Sequence, residues 1–327
     1  MRSRLIILLL VIMCTIINAQ QQPLYNSAYG YDFPFNPAIA GSNYYPSAAI
    51  TLQKNWLKVE NSPSTISTLL SFRLGRFDFY TPRMMLNKSK YNHKERVGFG
   101  VLAYKDANGP VSNTGFKLAY TYHIPVGFHQ LSFGLSGDLK QLEVDESNFS
   151  PTEPDDPILL GGKTKYSMGN ASAGIYLYSE NFYAGLSVND MFKNKAIIEE
   201  QFTSSTLDAI FMAGVKFRLN DFWSFEPSAY TGYLDTEKFD YKISSKFIFV
   251  EEHWIMFTYN SYSSLTSSFG FRVGKLLHIG YGYEYFFGTS RTNYQSRHMF
   301  YLGRNIGTRN VGAIKRQRYR FIRMSSP

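Results

Sequence analysis

The sequence predicts an all-β fold, a transmembrane antiparallel up-and-down β-barrel of about fourteen strands. The first observation is a strand-period alternation, clearest where apolar residues from Leu277 to Tyr285 alternate with small or polar residues from His278 to Glu284. The second is that no stretch after the N-terminus approaches the roughly 18 apolar residues of a spanning helix. The third is an aromatic content of 17%, which suits the interfacial girdles of such a barrel. A secreted all-β sandwich is the alternative.

Residues 1–19 have the features of a secretory signal peptide. Two arginines precede an apolar run that ends at Met13, and cleavage is expected after Ala19. The only cysteine, Cys14, lies in this segment, and no small residue precedes it as a lipoprotein signal requires. The mature chain is therefore expected to contain no thiol and to gain its stability from packing or lipid, which fits a bacterial outer membrane.

Residues 20–47 are polar and turn-rich and form a separate segment, periplasmic or plug-like, ahead of the first strand. The segment contains the motif Phe35-Asn36-Pro37-Ala38-Ile39-Ala40-Gly41-Ser42. Pro37 restricts its own φ and favours an extended Asn36, while Gly41 can adopt a positive φ and permit a turn. The motif predicts an ordered, non-strand approach to the barrel. It either caps the first strand or serves in docking or plugging, and both interpretations stay open.

Residues 48–303 are predicted to form the barrel, because segments of strand period can be separated by turn signals. The predicted strands are 48–55, 65–75, 96–105, 114–123, 129–140, 167–178, 181–189, 208–219, 222–233, 238–249, 253–260, 265–273, 276–285 and 294–303. Their even number agrees with outer-membrane barrels. A lumen of this width exceeds what wall side chains fill, so loops or the N-terminal segment are expected to obstruct it.

The two faces of each predicted strand differ in polarity. One apolar set is Phe211, Ala213, Val215, Phe217 and Leu219, which alternates with Met212, Gly214, Lys216 and Arg218. A second is Leu131, Phe133, Leu135 and Leu139, which alternates with Ser132, Gly134, Ser136, Asp138 and Lys140. A charge on the lipid face at mid-depth costs roughly 2–4 kcal/mol, so the apolar sets are expected to meet lipid and the charged residues to face the lumen or a rim.

Connection lengths give a second criterion for the barrel. If both termini are periplasmic, the longer connections should follow odd strands. The connections that agree are 56–64, 106–113, 141–166, 190–207 and 286–293, with tight turns at Ser179-Glu180, Asn220-Asp221 and Gly274-Lys275 on the other side. The long basic segment 76–95 breaks the rule. We interpret it as a periplasmic insertion, and a miscounted strand is the alternative.

Residues 304–327 form a basic tail, expected to be periplasmic. Its cations are Arg304, Arg309, Lys315, Arg316, Arg318, Arg320 and Arg323, and it contains no acidic residue. Without Arg2 and Arg4 the chain has 32 basic and 25 acidic side chains, so the mature net charge of +7 equals the charge of the tail. The tail can meet anionic headgroups, peptidoglycan or an acidic partner, or remain a flexible extension. Export argues against nucleic acid.

The Phe35–Ser42 motif closely resembles the F-N-P-A-x-A-G-S signature of the PorP/SprF family, outer-membrane barrels of the type IX secretion system. Further segments occur in the order of that family: Trp56, Pro63-Ser64-Thr65, Asp155-Asp156-Pro157, Glu226-Pro227-Ser228 and Gly280-Tyr281-Gly282-Tyr283-Glu284-Tyr285. The resemblance covers about residues 23–303. The insertion 76–95 and the basic tail depart from the family pattern, so neither inherits a role from it.

No catalytic or metal-binding signature is found in the sequence, and no cofactor is expected. The stretch from Gly134 to Gly137 lacks the spacing of a nucleophile elbow, and no histidine pair has metal-binding helix spacing. The acidic residues of loop 141–166 can hold Ca²⁺ or contact cation-bridged lipopolysaccharide, but their spacing fits no EF-hand. A solvated acidic loop is the simpler interpretation.

The resemblance implies a non-enzymatic component of type IX secretion that docks or helps display a large secreted surface protein, such as a gliding adhesin. Its extracellular loops would meet the cargo, its periplasmic segments would meet other secretion components, and its surface would meet outer-membrane lipid and lipopolysaccharide. The candidate partner-binding residues are Asn36, Pro37, Ala38, Gly41, Trp56, Asp155, Asp156, Lys315, Arg316, Arg318, Arg320 and Arg323. The alternative functions are a porin or small-solute transporter, or an outer-membrane enzyme for which no residue stands out.

Overall fold

The structure is a computed structural model that describes residues 32–43, 46–57, 62–74, 96–127, 129–145, 163–192, 195–198, 201–204, 208–234, 239–250, 253–261, 263–274, 277–287 and 296–305. Its strands are β1 (Ser47–Asn55), β2 (Ser64–Arg73), β3 (Val97–Asn108), β4 (Val111–Val126), β5 (His129–Asp145), β6 (Lys163–Tyr178), β7 (Phe182–Asn189), β8 (Lys195–Ile198), β9 (Gln201–Ser204), β10 (Asp208–Val215), β11 (Phe217–Arg218), β12 (Trp223–Leu234), β13 (Phe239–Phe249), β14 (His253–Asn260), β15 (Ser264–Val273), β16 (Leu277–Phe286) and β17 (Ser296–Asn305). A 3-10 turn covers Pro37–Ile39. No helix among these residues is long and apolar enough to cross a membrane.

The strands form a closed antiparallel barrel. β1 pairs with both β2 and β17, and β10 pairs with both β7 and β12, which closes the wall. β10 and β11 make one strand, since Gly214 opposite Ser228 and Phe217 opposite Phe225 lie in the same register. The ladder is interrupted where Pro227 of β12, which has no N–H to donate, faces this strand. The wall therefore contains fourteen strands, as predicted; β8 and β9 form a separate hairpin.

The barrel is polar inside and apolar outside. The outward positions of β5 include Leu135, 64% exposed, and Leu139, 66% exposed, whereas the alternating positions Ser132 and Asp138 are buried. Rings cluster near both ends of the outer surface, Trp223 with Phe249 at one end and Tyr241 with Tyr259 at the other. An apolar outer band flanked by aromatic girdles is what a lipid-embedded barrel requires, and it confirms the predicted assignment of faces.

Both ends of the wall lie at the same end of the barrel, because Ser47 of β1 pairs with Asn305 of β17. Tight turns at Gly127 and Gly274, with φ values of +60° and +66°, lie at this end too. We refer to it as the termini end. Arg304 belongs to β17 and not to the tail, so the predicted boundary at 304 is wrong. The ladder continues past it because Ala48 and Leu277 both pair with Arg304.

The predicted long connection 106–113 is also wrong. β3 runs to Asn108 and β4 begins at Val111, so only Gly109 and Pro110 connect them. Gly109 adopts a φ of +59°, which glycine tolerates, and the pairs from Asp106–Asn113 to Asn108–Val111 continue the ladder to the turn. β5 likewise extends to Asp145. The insertion 76–95 falls outside the described residues.

Candidate functional site: a plug inside the barrel

Residues 32–43 lie against the inner face of the wall, and we call this segment the plug. Its 3-10 turn contacts β4, β5, β6 and β7. At one end of the plug the ring centroid of Phe35 lies 5.3 Å from that of Tyr230 in β12. At the other end the N–H of Gly41 donates to Oγ of Ser71 in β2, which lies seven strands from β12 around the wall. The plug therefore crosses the lumen before the chain enters β1.

The conformation of the plug follows from the motif. Asn36 is extended, with φ −138° and ψ 109°, as expected before a proline, and its Oδ1 accepts a hydrogen bond of 2.9 Å from the N–H of Ala38. Pro37 opens the turn, where its missing N–H leaves no donor unpaired. Gly41 adopts a φ of +72°, as predicted, and a Cβ there would lie 2.8 Å from the carbonyl oxygen of Phe72. These residues supply the local order that the sequence predicted.

Every backbone carbonyl from Pro34 to Ala40 has a hydrogen-bond donor. Two are satisfied within the plug, by the N–H groups of Ile39 and Ser42. The other five receive donors from the wall: Lys117 to Pro34, Ser187 and Asn189 to Phe35, Thr121 to Pro37, Ser132 to Ala38 and His123 to Ala40, at 2.7–3.1 Å. A non-strand segment can be buried only if its backbone groups are paired in this way. The wall thus supplies hydrogen-bond donors at the positions of the plug's free carbonyl groups.

Glycines of the wall create the space in which the plug packs. A Cβ at Gly98 would lie 2.5 Å from the carbonyl oxygen of Ala40, and one at Gly185 would lie 2.8 Å from Nδ2 of Asn36. Cβ atoms at Gly134 and Gly174 would collide with the Pro37–Ala38 backbone and with Oδ1 of Asn36. Nδ2 of Asn36 donates to the carbonyl of Ile175 at 3.1 Å, across the space that these glycines leave. Close approach to the wall therefore requires glycine.

A polar relay holds the termini end of the plug. Nε2 of His123 lies 3.1 Å from the carbonyl oxygen of Ala40, and because a carbonyl only accepts, Nε2 is the donor. Nδ1 of His123 lies 2.9 Å from the hydroxyl of Tyr178, and Arg73 donates to the same hydroxyl at 3.4 Å. A chain of hydrogen bonds thus connects side chains of three strands, β2, β4 and β6, to the carbonyl of Ala40.

The N-terminal side of the plug faces the cationic wall of β13. Nζ of Lys242 lies 5.5 Å from the centroid of the Phe35 ring and 4.9 Å from that of Tyr230. Oδ1 of Asp32 is enclosed and has no hydrogen-bond partner among the described residues. Burial raises the pKa of Asp32 to about 7; Lys246 and Lys242 oppose the increase, and Glu226 adds to it. The protonation state of the Asp32 carboxyl therefore affects the stability of the docked plug.

A second polar cluster lies on the lumen side of β14–β17 and β1. Nη1 of Arg297 contacts Oε2 of Glu284 at 2.9 Å, and its Nε donates to Oδ1 of Asn55 at 2.9 Å. Oε1 of Glu284 accepts from Ser264 at 2.6 Å and from Asn260 at 3.0 Å. Both charges are buried and satisfied, so the cluster connects five strands around the closure of the barrel.

The candidate partner-binding residues fall into three groups. Asn36, Pro37, Ala38 and Gly41 lie together in the plug, where their contacts are with the wall. Trp56 follows β1, with a φ of +51°, and its N–H donates to the carbonyl of Ser296 at 3.1 Å. The remaining candidates lie outside the described residues: Asp155, Asp156, Lys315, Arg316, Arg318, Arg320 and Arg323. Their role with partners stays a prediction.

A family comparison decides what kind of barrel this is. The model of the type IX secretion system membrane protein PorP/SprF matches residues 17–303, which is most of the chain. The chain belongs to the PorP/SprF family. The resemblance inferred from the Phe35–Ser42 motif is thereby confirmed, and the chain is an outer-membrane β-barrel of the type IX secretion system. No relative was found among curated proteins.

Solved barrels of other families resemble this PorP/SprF protein only distantly. The Acinetobacter baumannii outer-membrane protein Omp33 shares 6% identity with a TM-score of 0.45, and the match covers 80% of this chain and 99% of that one. The Ralstonia pickettii toluene transporter TbuX shares 10% identity with a TM-score of 0.49, covering 84% and 93%. A Pseudomonas aeruginosa FadL homologue shares 8% identity with a TM-score of 0.46, covering 82% and 92%.

The wall residues that hold the plug were not identified as a site from the sequence. Ser132 and Gly134 were expected to face the lumen, and they do. Thr121, His123 and Ser187 carry no motif of their own. These residues meet at the plug only because the closed barrel makes their strands neighbours. In the sequence, their polarity at inward positions was the only feature that could have identified them.

Proposed function

We propose that this PorP/SprF protein is a plugged, non-enzymatic barrel that docks a large secreted surface protein, such as a gliding adhesin, at its outer loops. Membership in a type IX secretion family supports a role in secretion. The observation that carries the docking role is the plug, because a lumen crossed by a segment with paired carbonyls is poorly suited to passing a protein chain. The barrel then acts as an anchor at the membrane.

We further propose that the termini end contacts periplasmic secretion components. Both ends of the wall lie there, since Ser47 of β1 pairs with Asn305 of β17, and the basic tail follows Asn305 directly in the sequence. The tail carries six cations after Arg304 and no acidic residue, so it is suited to an acidic partner or anionic headgroups. The motif residues Asn36 to Gly41 would act indirectly, by holding the N-terminal segment at the barrel.

Recovery of partners from membranes tests both parts of the proposal. Full-length protein is purified after cross-linking in cells, beside a variant that lacks residues 306–327 and therefore retains all of β17. We expect the full chain to recover a dedicated surface protein together with periplasmic components, and the shortened variant to lose the periplasmic components. Equal recovery by both variants contradicts the role of the tail, and recovery of no surface protein by either contradicts docking.

The porin alternative is distinguished by conductance. Its support is the charged inner wall, which includes Lys242 and Glu284. Steady ion conductance by the unmodified protein in a planar bilayer favours a porin, whereas an anchor with a seated plug conducts little.

A further inference from the structure

The outer face of β2–β6 carries two adjoining grooves, which we call the wall grooves. The first has a volume of about 620 Å³ and includes Ala103, Phe116, Leu139 and Gly169 among its lining residues. The second has a volume of about 420 Å³ and includes Val101, Leu118 and Gly137 among its lining residues. The grooves are deep because the outward positions Gly137 of β5 and Gly169 of β6 carry no side chain. A Cβ at Gly137 would meet nothing within 4 Å.

Strand register shows that the wall grooves follow one another along the wall. Ala103, Phe116, Leu139 and Gly169 lie side by side in one row across β3–β6. Val101, Leu118 and Gly137 form the next outward row, two residues away. Two residues of a strand span about 7 Å, so the grooves form one elongated apolar depression that runs with the strands.

One end of this depression is polar and cationic. The row beyond Ala103 contains Lys105, Thr114, Gln141 and Ser167, which pair in that order across β3–β6 and all point outward. Lys105 is exposed, and within the described ranges no carboxylate forms an ion pair with it. This row lies toward the β3–β4 hairpin, the end of the barrel opposite the termini end.

We propose that the wall grooves bind an acyl chain of a phosphorylated outer-leaflet glycolipid, with its phosphate on Lys105. The depression opens toward hydrocarbon, so its apolar floor suits a methylene chain. A lone ammonium beside hydroxyl and amide donors complements a phosphate at the membrane boundary. A protein seated there would bury Lys105 and would need a carboxylate opposite it. The proposal rests on the proposed periplasmic position of the termini end and is independent of cargo docking.

Native mass spectrometry of the full-length protein in detergent micelles tests this site. The probe is lipid A, the phosphorylated and acylated anchor of lipopolysaccharide, compared with the same lipid after dephosphorylation. Lys105→Glu removes the cation, with Lys54→Glu as its control, since Lys54 is also exposed on the outward face of β1 but lines neither groove. Gly169→Leu fills the groove, with Ala229→Leu as the control on the exposed outer face of β12.

Gly169 is a suitable position because a Cβ there makes only ordinary contacts, 3.8 Å from Leu139 Cδ2 and 4.0 Å from the carbonyl oxygen of Asp138. We expect at least about five-fold less retained lipid A for Lys105→Glu, because loss of one lysine near an anionic surface already accounts for about five-fold and the new carboxylate repels the phosphate. A similar loss is expected for Gly169→Leu and for dephosphorylated lipid on the unmodified protein. The controls should retain lipid A normally.

Retention that neither variant lowers, or equal retention of phosphorylated and dephosphorylated lipid, overturns the proposal. Heat-modifiable electrophoretic migration of each variant verifies that the barrel has folded. If Gly169→Leu does not fold, Gly137→Leu tests the second groove, where the added side chain has open space. Displacement of the lipid by a co-purifying protein would assign the surface to a partner instead.

Discussion

At the scale of single residues, glycines on the two faces of one strand have opposite roles. Gly134 and Gly137 both lie in β5, three positions apart, so they point to opposite sides of the wall. A Cβ at Gly134 would overlap the backbone of Pro37 and Ala38, whereas a Cβ at Gly137 meets nothing within 4 Å. Alanine at Gly134 therefore disturbs the docking of the plug, whereas alanine at Gly137 shows the effect of losing a glycine alone.

We predict that Gly134→Ala displaces the plug and that Gly137→Ala does not. A single cysteine placed at Ile39, which is 8% exposed, reports displacement through its rate of maleimide labelling. Labelling should be slow in the parent and in Gly137→Ala, and at least ten-fold faster in Gly134→Ala, which corresponds to about 1.4 kcal/mol of lost docking free energy. Equal labelling of the two glycine variants would show that Gly134 does not determine docking.

Asp32 leads to a pH-dependent prediction. Its pKa of about 7 in the folded state exceeds the ordinary value of 3.8, so the folded protein binds the proton more tightly than the unfolded chain. Stability should therefore fall as the pH rises from about 4 through about 7, because ionisation places a charge in an enclosed position. Lys246 and Lys242 limit this loss, and Glu226 increases it.

Thermal unfolding at pH 5 and pH 8 measures this effect. The unmodified protein is expected to be less stable at pH 8, and Asp32→Asn should reduce the difference between the two pH values. A difference that is unchanged in Asp32→Asn would assign the pH dependence to another group.

At the scale of elements, the barrel is closed by polar side chains as well as by backbone pairing. The Glu284–Arg297 pair connects β16 and β17, and Asn55 and Asn260 extend the cluster to β1 and β14. The two side chains of the pair are only 6–7% exposed. Removal of one partner would leave the other charge buried without compensation.

We predict that Glu284→Ala lowers the free energy of unfolding by about 3–5 kcal/mol, the typical cost of a broken buried pair. Glu143→Ala is the matched control, since its ion pair with Lys165, at 3.3 Å, is 27–53% exposed and is worth about 0–1 kcal/mol. Urea unfolding in lipid vesicles measures both. The double variant Glu284→Ala with Arg297→Met should recover part of the loss, and equal effects of the two single variants would contradict a structural role for the cluster.

At the scale of the whole molecule, the plug and the wall act as one unit. The plug receives donors from β4, β5 and β7, donates the N–H of Gly41 to Ser71 of β2, and packs on Tyr230 of β12, so it connects opposite sides of the barrel. The proposed anchor role would benefit from this arrangement, because the plug links strands on opposite sides of the wall. It also predicts that the lumen is obstructed.

We predict that the unmodified protein gives little steady conductance in a planar bilayer and that Gly134→Ala gives more, because only the plug is displaced. Gly137→Ala should match the unmodified protein. A large steady conductance of the unmodified protein would favour a porin over an anchor.

Sequence and tertiary structure contributed differently to these conclusions. Alternation such as Leu131–Lys140 determined the strands, their faces and the barrel class, because the period of two in a strand is a local property. The residues of the Asn36–Gly41 motif determined the geometry of the plug, because Pro37 and Gly41 restrict the backbone directly. Hairpin lengths were less accessible, as the two-residue connection after Asn108 shows, since polar outward residues occur both in loops and in strands that extend beyond the membrane.

The tertiary structure alone decided where the plug binds and what surrounds it. Thr121, Ser132 and Ser187 belong to three different strands and have no shared motif, yet closure of the barrel brings them to one segment. The wall grooves arise in the same way, from Ala103 and Gly169 on strands that are not sequence neighbours. Such sites depend on inter-strand register and on the direction of each side chain, which exist only once the wall has closed.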